Sequence, residues 1–299
     1  VSADADGGRR ATGRRLGGGL AQYAGFVPVG VLFAAFLLVP LGLIAAYSFW
    51  TVVDYNVVHD WTLDNYDYLL KTAAYRSALV ATIWMSALAT AITLLLAFPF
   101  AYWMARYLSR RWQRVALIAV VLPFWTSYLL RVYAWTTILG EKGVLNRALE
   151  GLGLISRPLS FLLYDRPSVI LVLVYLYFPF AVLTLYTSLE RFDWTQLRAA
   201  MDLGASPPTA LRQILLPQIK PGIATAVIFV LIPILGEFLT PQLVGGTRGT
   251  MIGNSIVGFF QNAQYTRGAA LALIVCLGIA VALVLTRKNL RMEATHGVR

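Results

Sequence analysis

Two ionisable residues stand inside long apolar stretches of this chain, Glu237 and Arg131. A charge in hydrocarbon is costly to bury, so each is by default a functional candidate. Around Arg131 lie Trp125, Tyr128, Tyr133 and Trp135, and an aromatic face holds a cation by about 0.5–2 kcal/mol. Pro233, Gly236 and Pro241 surround Glu237 and loosen the local helix geometry. For a cationic ligand, Glu237 would supply a counter-charge and the four aromatics cation–π faces. A structural reading stands beside it: Glu237 pairs with Arg131 across a helix interface, and the aromatics pack or sit in the interfacial belt.

Other chemistry is sparse. His59 and His296 are isolated, one in a loop and one in the tail. No GxxxxGK[ST] phosphate loop is present, so the chain does not by itself hydrolyse ATP in the usual way. Gly245, Gly246 and Gly249 fall in a loop rather than at a strand-to-helix turn. The single cysteine, Cys276, excludes an intramolecular disulfide and a multi-cysteine metal site, and reads as a small packing side chain. These residues point to a protein that is not an enzyme and binds neither metal nor cofactor itself.

The elements that position these residues are membrane spans. Of 299 residues, 58% are hydrophobic and 13% charged, where a soluble domain carries about 25% charged. Six apolar runs, over 26–50, 77–107, 115–139, 167–189, 221–244 and 267–285, have the length of transmembrane helices. Their internal prolines are compatible with helices in lipid, where neighbours satisfy the freed backbone groups. The first run is too long for the core of a signal peptide and reads as an uncleaved span. The expected fold is an all-α membrane protein of six transmembrane helices. Residues 1–20, rich in Gly and Arg, read as a disordered cytoplasmic arm, 21–290 as the transmembrane domain and 291–299 as a cytoplasmic tail.

Cation placement gives the orientation. Sixteen Lys and Arg flank the N-terminal arm, the second-to-third and fourth-to-fifth connections and the tail, against eight on the opposite side. That excess puts both termini in the cytoplasm. The same clustering beside apolar runs excludes nucleic acid as the partner behind the net charge of +11. The partner it implies is the lipid bilayer. On the outer side, residues 51–76 carry Asp54, Asp60, Asp64 and Asp67 among aromatics, and a short amphipathic surface helix is expected near 65–70.

The cytoplasmic segment 190–220 is longer than a connector needs. Asp193 and Gln196 resemble a capping box, and Leu197, Ala200, Met201 and Leu203 follow. Gly204 is placed to end that helix in the left-handed conformation. Ser206 and Pro207 suit the start of a second helix, with Leu211, Ile214 and Leu215 as its apolar stripe and Pro217 as its end or kink. A helix–turn–helix hairpin of this kind is a candidate docking surface.

Within it, AAMDLGASPPTALRQILLP resembles the signature of permease subunits of binding-protein-dependent ABC importers. Ala199, Ala200, Gly204, Ile214, Leu216 and Pro217 match the pattern; Arg198 stands where the family has an acidic residue. Residues 122–146 and 236–254 are most similar to the spermidine/putrescine subgroup. The resemblance implies a type I ABC importer permease fold in a bacterial inner membrane. The hairpin would be the coupling helix, with Ala199, Ala200, Asp202, Gly204, Ile214 and Pro217 contacting an ATPase subunit. Implied partners are two ATP-binding subunits that hold the ATP and Mg, a second permease (homologous or identical) and an extracytoplasmic substrate-binding protein. The implied cargo is a polyamine; an amino acid, opine, sugar or metal complex is the alternative. An ion-coupled secondary transporter would want more intramembrane carboxylates and paired broken helices, and neither is visible in the sequence.

Overall fold

The computed structural model describes residues 27–296, with the side chains of the last helix described as far as Val284. The arm expected over residues 1–20 lies outside the described residues. The chain divides at Ala46 and Tyr47 into two units. The first contains most of α1 (Val27–Ser48), 22 residues interrupted only by Pro40 and about 33 Å long, enough to cross a bilayer.

The second unit opens with a ribbon that composition did not predict. β1 (Thr51–Val53) and β2 (Asn56–Val58) pair antiparallel, and Asp54 and Tyr55 between them both have positive φ, as a two-residue hairpin turn of right-handed twist requires. The Asp60 carboxylate accepts from the Thr51 hydroxyl and amide at 2.8 and 2.9 Å, and this holds its pKa below the ordinary value. The expected surface helix is α2 (Asp64–Lys71). Its buried Asn65 donates to the carbonyls of Ser48 and Trp50.

Three helices make the core: α3 (Ala73–Tyr107), α7 (Arg166–Glu190) and α9 (Pro207–Leu235). On α3 every fourth residue from Ala81 through Met85, Ala89, Thr93 and Ala97 to Ala101 is buried. Such a ridge of mostly small side chains lets backbones approach closely in lipid, where packing rather than hydrophobicity drives association. α7 answers with Val169, Val172, Leu173, Leu176 and Leu185, and α9 with Ala226, Val230 and Ile234. The closest approach is at Gly222 of α9, where a Cβ would run into the Ser188 hydroxyl of α7. Gly222→Leu is therefore expected to cost at least about 1–3 kcal/mol by overpacking and to lower the Tm of the purified protein by roughly 5 °C. An unchanged Tm in a thermal melt would mean the two helices are not in contact there.

Two of the expected continuous spans are broken. The run 115–139 is α4 (Arg110–Val121), a tight 3-10 turn (Leu122–Trp125) and α5 (Tyr128–Leu139), with the two arms bent by 91°. Pro123 cannot donate to the helix and restrains its neighbour, and Thr126 and Ser127 are extended. The run 221–244 stops at Leu235, and α10 (Leu239–Val244) begins after Gly236, Glu237 and Phe238. Glu237 thus lies in a break between helices rather than within one. The described chain has five apolar helices of spanning length, or six if the bent pair is one span.

Pro217, expected to end or kink the second hairpin helix, does not end it. A π-turn at Leu211–Leu215, closed by the Leu216 amide on the Leu211 carbonyl, absorbs the missing proline donor, and α9 runs on to Leu235. The remaining elements are α6 (Val144–Gly151), α8 (Trp194–Asp202), α11 (Ile252–Gln261) and α12 (Tyr265–His296). The last continues past the expected boundary at residue 285.

Candidate functional site

The hairpin and the two helix breaks are the places where chemistry-bearing residues converge. The hairpin is a rigid object. Asp193 caps α8 by accepting from the Thr195 hydroxyl and amide at 2.7 and 2.9 Å, which holds its carboxyl below the usual range. Gln196 does not complete the expected capping box, because its carbonyl accepts from the Gln218 side chain at 2.6 Å and ties α8 to α9. At the other end of α8, Gly204 has φ +94°. Its amide bonds to the Met201 carbonyl and the Ala205 amide to the Ala200 carbonyl, both at 3.0 Å. That pair of bonds is a Schellman motif, which satisfies the carbonyls a helix end otherwise leaves open.

Buried Leu197, Ala210, Leu215 and Ile219 hold the hairpin against the bundle. Trp194 meets Tyr102 of α3 edge-on, with ring centroids 5.5 Å apart, and Arg106 stacks over the same indole. An Arg110–Glu190 ion pair joins α4 to the end of α7. The residues carried over for coupling divide accordingly. Ala199, Asp202, Gly204 and Pro217 are exposed, while Ala200 and Ile214 are half-buried and pack toward the core. Leu203, which the sequence singled out only as an apolar helix residue, is 90% exposed at the hairpin tip.

The second site is built where the breaks meet. The Tyr128 hydroxyl, in the first turn of α5, donates to Glu237 Oε1 at 2.7 Å. The Tyr177 hydroxyl, from the middle of α7, donates to the same oxygen at 3.0 Å. A phenol has one proton, so the Thr240 hydroxyl, 2.6 Å from the Tyr128 oxygen, is the donor in that contact. The backbone around Glu237 is fixed from behind by α11: Gly253 leaves room for the Glu237 carbonyl, and the Asn254 side chain donates to the Phe238 carbonyl at 2.8 Å. The arrangement presents a carboxylate within the apolar bundle, held by phenols rather than neutralised by a cation.

The expected alternative, a Glu237–Arg131 ion pair, is not formed. Among the described residues the ion pairs are Lys71–Asp67, Arg110–Glu190 and Arg248–Asp165. Arg131 instead stacks on Phe124 and Tyr128, with its guanidinium carbon 4.7 and 5.8 Å from the ring centres. Its buried Nε has no hydrogen-bond partner.

Of the four aromatics expected around the passage, only Tyr128 bonds Glu237. Trp125 is 86% exposed, Tyr133 is half exposed, and Trp135 packs edge-on against Tyr175. Tyr177 and Thr240 were missed. A tyrosine two residues before Pro179 in an apolar run was the available signal for the first, since a buried phenol needs a partner.

With this geometry in place, comparison with known proteins is direct. Residues 97–288 match the family described as binding-protein-dependent transport system inner membrane component. The chain is 35% identical over 262 residues to the spermidine/putrescine transport system permease protein PotB of Haemophilus influenzae, covering 85% of this chain and 91% of that protein. It is 36% identical to the protein of the same name in Escherichia coli strain K12, over 82% of this chain and 89% of that one. The E. coli inner membrane ABC transporter permease protein YdcU is 35% identical, over 79% and 80% of the two chains. A crystal structure of a bacterial ABC transporter involved in the import of the acidic polysaccharide alginate shares the fold, with TM-score 0.75, 20% identity and coverage of 91% and 96%. The chain belongs to the binding-protein-dependent transport system inner membrane component family. It is a multi-pass permease, a transport subunit.

Proposed function

We propose that this chain is one transmembrane subunit of an ATP-driven polyamine importer in a bacterial inner membrane. Six spans cross the bilayer, with the bent pair α4–α5 as the third and both termini cytoplasmic, as the cation excess requires. The hairpin of α8 and the start of α9 docks on an ATP-binding subunit. A second permease completes the passage, two ATP-binding subunits hold ATP and Mg below, and an extracytoplasmic binding protein delivers the substrate.

The observation that carries this reading is the hairpin: capped at both ends of α8, bolted to α3 through Trp194, and ending in an exposed leucine. A loop that only joined two spans would need none of this, whereas a lever must be stiff to transmit closure of the ATPases to the spans. Polyamine as cargo is supported by the PotB relatives and by the chemistry of Glu237, a half-buried carboxylate held by phenols and in none of the ion pairs among the described residues. Ammonium groups would then be drawn to that site, and Tyr128 and Tyr177 would yield their hydrogen bonds or turn their faces to the cation.

The test is ATP hydrolysis by the co-purified complex in nanodiscs with its binding protein, titrated with spermidine and putrescine against maltose and glutamate. The expected result is stimulation by polyamine alone. Stimulation by maltose or glutamate instead would remove the polyamine reading and keep the importer. Absence of any co-purifying ATPase would remove both.

A further inference from the structure

A cavity of about 460 Å³ lies at the end of the bundle opposite the hairpin, lined by Arg76, Ser77, Val80, Ala81 and Trp84 of α3 and by Arg166 of α7. It plays no part in the passage or the hairpin. We propose that it holds the headgroup of an anionic phospholipid, with the acyl chains running down α3.

Its charge is one-sided. Arg166 is fixed in place: its Nε donates to the Arg248 carbonyl at 3.0 Å, and its guanidinium lies 5.7 Å from the centre of the Trp84 ring. Arg76 and Arg166 take part in none of the ion pairs among the described residues. The nearest carboxylate in sequence, Asp165, is committed to the Arg166 amide and to Arg248. Two guanidiniums, neither in an ion pair among the described residues, therefore line one open groove beside an indole, while Asp165 is spent capping α7 and the Ser77 hydroxyl donates to the Ala74 carbonyl. A phosphate diester supplies the missing charge and acceptors.

What separates a lipid from a soluble anion is the floor of the cavity. Below the cations come Val80 and Trp84, and beyond them the exposed stripe continues through Ile83 and Leu88. The order is cation, indole, aliphatic. Arg76 and Trp84 are eight residues apart, about 12 Å along the helix, which matches the passage from headgroup to the upper acyl region. α3 has 35 residues, about 52 Å, against a hydrocarbon thickness of about 30 Å, so its first turns emerge at the interface. Interfacial tryptophan is at home there.

The experiment is native mass spectrometry of the intact importer complex in detergent, titrated with phosphatidylglycerol and, for reference, phosphatidylcholine. We expect saturable retention of phosphatidylglycerol in preference to phosphatidylcholine, with inorganic phosphate failing to displace it. In the pair Arg76→Gln with Arg166→Gln this site should weaken roughly 30-fold, since each basic residue beside an anionic lipid contributes about a factor of five. Ser77→Asp, a change at an exposed rim position that leaves both arginines in place, should weaken it as well, and keeps the test available if the double variant does not fold. Arg147→Gln, an exposed cation on α6, should leave it unchanged. Equal retention by wild type and both cavity variants would overturn the proposal. So would displacement by phosphate, which marks a soluble-anion site, or cross-linking of Val80→Cys to a second permease, which shows protein covering the cavity.

Discussion

Gly204→Trp is expected to leave the permease folded in the membrane and to abolish polyamine-stimulated ATP hydrolysis and uptake. The reasoning separates two costs. Gly204 sits at φ +94° and a Cβ there meets nothing within 4 Å, so any side chain pays backbone strain of about 1–3 kcal/mol but no clash. The hairpin can bear that strain, because buried Leu197, Ala210 and Leu215 and the Trp194–Tyr102 contact hold it independently of the cap. Gly204→Ala should accordingly lower stimulated activity only in part. Tryptophan adds a bulky group beside Leu203, on the surface proposed to enter the ATPase. Losing a central docking contact costs about 2 kcal/mol or more, roughly 30-fold in affinity. Leu203→Asp isolates the docking term: the side chain is 90% exposed, so a charge there is harmless to folding yet unwelcome in an apolar groove. Stimulated ATPase activity in nanodiscs, beside the amount of ATPase subunit retained on purification, reads both effects. Wild-type activity in Gly204→Trp and Leu203→Asp would show that the hairpin is not the lever.

How much of this was legible in the sequence differs between the hairpin and the spans. Local rules acted in the hairpin: an Asp N-cap, a Gly that adopts positive φ at little cost, and a Pro at a first helical position each specify a backbone state within a few residues. The structure has the helix ends where those residues stand. Gln196 departed from expectation because a partner 22 residues away, Gln218, competed for its side chain. Pro217 departed because a π-turn offers a continuous route around a missing donor.

In the spans the apolar runs gave existence but not detail. Lipid is as apolar as leucine, so the buried and lipid-facing sides of α3 carry similar residues, and only the four-residue ridge of small side chains betrays the buried face. The breaks at Leu122–Ser127 and Gly236–Phe238 were masked for the same reason: hydropathy does not distinguish a straight helix from a bent one. The Pro and Gly residues that make the breaks were visible, yet lipid-embedded helices tolerate both. Tyr177 was out of reach of spacing arguments, since it meets Glu237 from 60 residues away.

A second large effect on transport is expected at that carboxylate. Glu237→Gln keeps an acceptor oxygen for the Tyr128 and Tyr177 hydroxyls, so the contacts among α5, α7 and the α9–α10 break can survive it, while the charge is lost. If Glu237 is the counter-charge for an ammonium group, removing it from this half-buried, hydrogen-bonded site costs about 2–5 kcal/mol of cation binding. Uptake at limiting substrate should then fall by at least roughly 30-fold. Tyr128→Phe and Tyr177→Phe make the opposite test. Each removes a hydrogen bond worth about 1.5–3 kcal/mol to a charged group but leaves the charge and an aromatic face. They should lower the Tm more than Glu237→Gln does and reduce uptake less.

A purely structural Glu237 predicts a different pattern: the three variants would lose stability together, and uptake per folded complex would not change. Arg131 sharpens the distinction. In this structure its guanidinium stacks on Tyr128 instead of pairing with Glu237, so Arg131→Gln removes a repelling cation from beside the site. On the counter-charge reading it should hold or raise the apparent affinity for polyamine, whereas a purely structural Arg131, stacked on Phe124 and Tyr128, predicts a lower Tm with the affinity unchanged. Uptake and melting temperature measured on the same four variants decide between the readings, because charge removal and contact removal move the two observables in different orders.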